Sequence, residues 1–212
     1  MLVGVAAVGI SATARATLYG DPVVQRTYAT DFPVGAGQVS PVFVVPSAVL
    51  PNGTLTSFET WDQVEPGGSP FPSAGNILTA YVLQPTSNPN EFKAVFVSSP
   101  LTVPTVSSSQ VATFSVTPFT TTAGDRIAFY GQGVPVDITG NYPPLYYPTY
   151  TAPSLNSTFI LGSPGFPLYT QDRLYSFEAN VVPEPTTLIA GALLLLPFGA
   201  STLRILRRNR VA

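Results

Sequence analysis

Four tyrosines, Tyr142, Tyr146, Tyr147 and Tyr150, fall within nine positions, and the single tryptophan, Trp61, stands beside Asp62 elsewhere in the chain. Flat aromatic faces beside hydroxyls and carboxylates suit sugar rings, because the C–H face of the sugar stacks while polar groups bond its hydroxyls. The plainer account is that the tyrosines pin a proline-rich loop to the domain and that Trp61 is core. Nothing in the spacing selects sugars. Asp125, Asp137 and Asp172 are hard oxygen donors of the kind calcium takes. They form no dense acidic loop, and the nearest approach, Gly133-Val134-Pro135-Val136-Asp137, carries one carboxylate, so scattered surface aspartates and no metal are expected. Glycoside hydrolysis needs two acids about 5–9.5 Å apart in a cleft. Glu59 with Asp62, or Glu91 with Asp125, are imaginable pairs, but any chain with scattered acids offers such pairs.

Other chemistry is closed by composition. The chain has no histidine and no cysteine, which removes imidazole triads, thiolate metal sites, cysteine nucleophiles and disulfides. Only carboxylate or Ser-Lys chemistry is left formally open. No glycine-rich phosphate loop and no G-x-S-x-G elbow occurs. The expectation is a non-enzyme without catalytic residues or cofactor. Between residues 17 and 182 the cations are Arg26, Lys93, Arg126 and Arg173 against ten acids, a net of −6. An acidic surface argues against nucleic acid. Asn52-Gly53-Thr54 and Asn156-Ser157-Thr158 match the glycosylation sequon, and the matches are expected to be chance.

The elements that must position these residues read as strands. Charged residues make up 9% of the chain, while 23 prolines and 17 glycines supply turns. Short apolar runs alternate with breakers and show no amphipathic helix. Expected strands are Val39–Val45, Thr54–Trp61, Ile77–Leu83, Phe92–Val97, Ala112–Val116, Arg126–Tyr130, Ser157–Leu161 and Leu174–Val181. Alternation is clearest in Phe92–Val97, and over Leu174–Ala179 it sets Tyr175, Phe177 and Ala179 on one face, with Ser176 and Glu178 on the other. The segment Thr120-Thr121-Thr122-Ala123-Gly124-Asp125 predicts a tight turn, with glycine supplying backbone freedom and the aspartate bonding its own backbone. Residues Gly140–Pro153, GNYPPLYYPTYTAP, hold too many prolines for a central strand and predict a surface loop. The expected fold is all-β, a jelly-roll-like β-sandwich of about eight to ten strands over residues 17–182.

Both ends read as addresses. Residues 1–16, MLVGVAAVGISATARA, are apolar and end in overlapping A-x-A patterns, like the core and cleavage site of a secretory signal peptide. The basic n-region is missing, so a partial or truncated signal is expected. At the other end, Leu188 to Leu206 is an apolar run of 19 residues with a charge only at Arg204. At 1.5 Å per residue it is long enough for a hydrocarbon core of about 30 Å. A single transmembrane helix over about residues 187–206 is expected, with a basic tail at 207–212. Arg207, Arg208 and Arg210 would stay cytoplasmic and leave the β domain outside.

Val182-Pro183-Glu184-Pro185-Thr186, placed directly before one apolar segment and a terminal arginine cluster, resembles the PEP-CTERM sorting signal. The phrase Gly124-Asp125-Arg126-Ile127-Ala128-Phe129-Tyr130-Gly131-Gln132-Gly133 also resembles stretches of other PEP-CTERM ectodomains, though it is short. The resemblance implies that an exosortase-like membrane protease or transpeptidase of Gram-negative bacteria is the partner. Pro183, Glu184 and Pro185 would be its recognition motif, and Arg207, Arg208 and Arg210 the membrane stop. It further implies a transient inner-membrane anchor, release to the cell surface or the medium, and association with exopolysaccharide. The expected function is therefore structural or interactive, in a surface or extracellular-matrix protein. The alternative is a lectin-like carbohydrate-binding module using the Tyr/Pro-rich loop.

Overall fold

The structure is a computed structural model, described here for residues 15–30, 42–64, 73–88, 90–138, 152–160 and 173–184. The described residues are all-β and contain no helix. In chain order the strands are β1 (Thr17–Asp21), β2 (Val42–Val49), β3 (Gly53–Asp62), β4 (Ile77–Pro85), β5 (Glu91–Val97), β6 (Leu101–Thr102), β7 (Gln110–Thr121), β8 (Arg126–Gly131), β9 (Val136–Asp137), β10 (Thr158–Ile160), β11 (Leu174–Tyr175) and β12 (Phe177–Pro183). The predicted segments all contain strand, with shifted ends. The last is interrupted at Ser176, whose backbone N–H bonds the Pro135 carbonyl instead of a ladder partner. The short β1, β6 and β9 lie outside the predicted segments.

One sheet has the order β1-β12-β3-β7, a second β10-β5-β4-β8-β2 with β6 on β4, and a small third pairs β11 with β9. The eight strands of five or more residues pair as nested antiparallel hairpins: β1 with β12, β2 with β8, β3 with β7, and β4 with β5. Pairing of β12 with β3 and of β4 with β8 then joins the hairpins into the two large sheets. Prolines sit where the ladder can spare a donor. Pro118 lies in edge strand β7 where Leu55 pairs Phe119 but Ser57 pairs Ser115, so three β7 residues face Thr56 alone. Pro46 falls in the interrupted stretch of edge strand β2, and Pro183 is the last residue of β12.

The two large sheets share one core. Phe58 and Leu55 of β3 and Phe177, Ala179 and Val181 of β12 are buried with Phe43, Leu78, Ala80, Val82, Ile127 and Phe129 of the other sheet. A run of rings crosses between the sheets. Phe129 lies 5.2 Å from Phe177, Phe177 stacks on Phe58 at 5.5 Å, Phe58 meets Phe96 at 6.1 Å, and Phe96 meets Phe119 at 5.2 Å. The other face of the six-stranded sheet is apolar too: Val42, Val44, Tyr81, Leu83, Ala94 and Ala128 form a second buried cluster, with Phe92, Tyr130 and Phe159 against it. The simple alternation read over Phe92–Val97 is broken by a bulge. Val82 pairs Phe96 while Leu83 pairs Ala94, so Val95 is extra and the parity switches. Phe96 thereby enters the core between the sheets, and Phe92, Ala94 and Val97 go to the second cluster.

Candidate functional site

The Pro183-Glu184-Pro185 segment, expected above to be a sorting motif, begins inside the fold. β12 lies between β1 and β3, and its last register pair is Pro183 with Gly53. One residue on, the Glu184 N–H donates to the Asn52 carbonyl at 3.3 Å. A Cβ on Gly53 would stand 2.6 Å from the Val182 carbonyl oxygen and 2.7 Å from Val181 Cγ1, so glycine is what lets the end of β12 lie there. Asn52 also accepts from the Ala123 N–H at 2.8 Å through its side-chain oxygen. Thr121 Oγ1 donates to the Pro51 carbonyl at 2.7 Å. The predicted turn at Gly124-Asp125 is present: Gly124 has φ +101°, the Asp125 N–H donates to the Thr122 carbonyl, and the Asp125 carboxylate accepts from the Thr122 N–H at 2.8 Å. Two turns and the outgoing strand are thus stitched at one pole. β1 starts at the same pole, with Thr17 opposite Val181. Pro185, Arg207, Arg208 and Arg210 lie outside the described residues, as do residues 1–14. Among the described residues no helix is long and apolar enough to cross a membrane, and the run Leu188 to Leu206 lies outside them.

At the opposite pole a polar network straps residues 22–30 across the sheet ends. Arg26 NH1 pairs with Asp137 Oδ2 at 3.3 Å and NH2 donates to the Pro22 carbonyl at 2.9 Å. Asp137 Oδ1 accepts from both Thr27 N–H and Thr27 Oγ1 at 2.7 Å. The buried Gln63 amide bonds the Arg26 backbone reciprocally, at 3.1 Å to its N–H and 3.0 Å from its carbonyl. Ser176 Oγ does the same for Val24, at 2.8 Å in each direction. Asp137 is therefore a strap anchor and Asp125 a turn cap. Asp172 is outside the described residues, which contain no group of three or more acids placed to hold a metal.

The acids imagined as pairs are not brought together. Glu59 and Asp62 stand three positions apart on β3 and so point to opposite faces. Asp62 is buried and accepts from Ser73 Oγ at 3.3 Å; Glu59 is on the outer face. Glu91 accepts from Thr86 Oγ1 and Asn88 Nδ2 within the β4–β5 hairpin, while Asp125 caps its own turn. The acid that does oppose Glu59 is Glu178, its register partner on β12. Burial, then repulsion from Glu59 and Asp21, holds Glu178 above the usual carboxylate range. The sequence places Glu178 on a polar strand face, but only the register of β12 on β3 reveals its neighbour. Burial likewise raises Asp21, Asp62 and Asp125, against opposing bonds from Ser47, Ser73 and the Thr122 N–H respectively.

Trp61 is neither core nor an open platform. It is half-buried on the outer face of the four-stranded sheet, in register with Val111, and its Nε1 is buried without a hydrogen-bond partner. Tyr142, Tyr146, Tyr147 and Tyr150 lie outside the described residues. A tyrosine that the sequence does not single out, Tyr81, is buried in the second cluster, and burial with Tyr130 beside it pushes its pKa up to about 12. The sequons have structural uses: Asn52 bonds the Ala123 turn, and Asn156 adopts φ +67° in the turn before β10. Compared with known proteins, the chain matches no family model, no curated protein and no solved structure.

Proposed function

We propose that this chain is an exported bacterial surface or extracellular-matrix protein, delivered by PEP-CTERM-type sorting and serving a structural or interaction role in an exopolysaccharide layer or biofilm. The observation that carries the reading is the junction: the last strand ends at Pro183, the first residue of the motif, and four residues, Glu184 to Thr187, lead to the apolar run at Leu188. A domain, a recognition motif, a membrane helix and the basic stop Arg207, Arg208 and Arg210 then follow in the order such sorting requires. An exosortase-like membrane protease acts near Pro183-Glu184-Pro185 while the helix holds the chain in the inner membrane. The domain itself is a jelly-roll-like sandwich. The nested pairing of its eight main strands, first with last and inward to β4 with β5, supports that topology.

The test is intact-mass measurement of the protein from its host, in membrane, surface and medium fractions. The expected result is an ectodomain lacking everything after the Pro183-Glu184-Pro185 region in the surface or medium fraction. A full-length C-terminus found only in the inner membrane would overturn the processing step and leave an anchored β domain.

A further inference from the structure

A processing enzyme reads an extended peptide by laying it along its own cleft, where the main chain and alternate side chains are bonded. The start of this motif already has a partner. Val181, Val182 and Pro183 lie in register on Leu55, Thr54 and Gly53, and the Glu184 N–H is held by the Asn52 carbonyl. An enzyme cannot bond that edge of the backbone while β3 does. No linker separates the last strand from Pro183, and the four residues from Glu184 to Thr187, two of them in the motif, span at most about 14 Å before Leu188, so the motif stays against the folded domain while the end of β12 is paired.

Resting on the sorting reading above, we infer that processing is gated by local opening of the end of β12, with Gly53 and Asn52 as positioning residues that set how often it opens. The unit that opens is defined by the fold. A register irregularity separates Asn180 from Val181, and Val181 is fully buried among core side chains, while Val182 and Pro183 are half-buried and Glu184 is exposed. Peeling from Glu184 back through Val182 breaks few bonds and leaves the core closed. Segments of this kind open far more often than the whole domain unfolds. When opening is fast relative to cleavage, the rate follows the population of the open form.

A reversible lock tests this. Thr54 and Val182 are directly opposed, and antiparallel partners have Cα atoms about 4.5–5.5 Å apart, within disulfide range. The native chain has no cysteine, so Thr54→Cys with Val182→Cys creates one unique pair. The full-length chain, in membranes containing the host's processing activity, is followed by mass. The expected result is that the oxidised form is cut at least about tenfold more slowly than its own reduced form. A second variant, with a Gly/Ser hexapeptide between Val182 and Pro183, moves the intact motif off the domain and is expected to be cut faster than wild type. Equal rates for locked and reduced forms, or no gain from the insertion, overturn the gate. Failure of the wild-type chain and the insertion variant alike to be cut overturns the sorting reading itself.

Discussion

Asp62 is wholly buried, one of its carboxylate oxygens has no hydrogen-bond partner, and the other has only Ser73. A buried charge so thinly bonded favours its neutral form, which is why burial holds its pKa above the ordinary carboxylate range. The sign follows from linkage. The folded state holds this proton more tightly than the unfolded chain does, so the contribution of Asp62 to stability falls as pH rises from about 4 through the folded-state pKa. Above that pKa the full cost of the ionised form is present. Asp62→Asn removes the charge and keeps an acceptor for Ser73. At pH 7 the variant should therefore gain about 1 kcal/mol, seen as a melting temperature about 2–4 °C above wild type. The advantage should shrink as pH is lowered through about 4 and vanish below about 3, where wild type is protonated in both states. A difference that does not change with pH would show that the carboxylate is not the cause.

At the level of strands, the sequence and the fold agree where local physics decides. Period-two alternation and Pro/Gly breakers mark β3, β4, β8 and β12 closely, and Tyr175, Phe177 and Ala179 face the core as their spacing requires. What fails to show in the sequence depends on partners far along the chain. The strap through Arg26 needs Gln63, Asp137 and Ser176, which are 37 to 152 positions from their partners in the strap. The bulge at Val95 depends on how β5 meets β4. The Glu59–Glu178 opposition needs the β12 register. The motif at Pro183 is legible as a string, but its seat on Gly53 is not. β1 is hidden for a related reason: its Thr-Leu-Tyr-Gly-Asp is short and carries little alternation, and its strand character comes from close approach to β12. That approach uses Gly20, which has φ +148° and whose added Cβ would lie 2.3 Å from the Phe177 carbonyl oxygen and 2.8 Å from Glu178 Cα. Gly20→Ala should cost about 1–3 kcal/mol through forced backbone separation. Gly75→Ala meets nothing within 4 Å and incurs only the left-handed backbone penalty, about 1 kcal/mol. Urea denaturation of the two variants separates these costs, and equal losses would mean that β1 does not sit tightly on β12.

At the scale of the molecule, the described β domain is polarised along its strands. β1 enters at Thr17 beside the place where β12 leaves at Pro183, so the two ends of the β domain share one pole and the Arg26 strap closes the other. β3 alone runs ten residues from Gly53 to Asp62, about 33 Å at strand rise. Under the anchoring proposed above, the short Glu184 to Thr187 connection holds the first pole at the bilayer, and the strands lift the strap pole away from it. Absence of native cysteine makes single labels unique. Ala123→Cys marks the membrane-side pole on an exposed turn, and Gln25→Cys marks the strap pole on an exposed segment. In vesicles carrying the full-length chain, a headgroup-bound quencher should strongly dim a dye at position 123 and leave one at position 25 nearly unchanged. Steep distance dependence makes a separation on the order of 30 Å decisive for a contact-range quencher. Equal quenching at both positions would mean that the domain lies on its side along the membrane, with the strap network and not only the exit pole at the lipid surface.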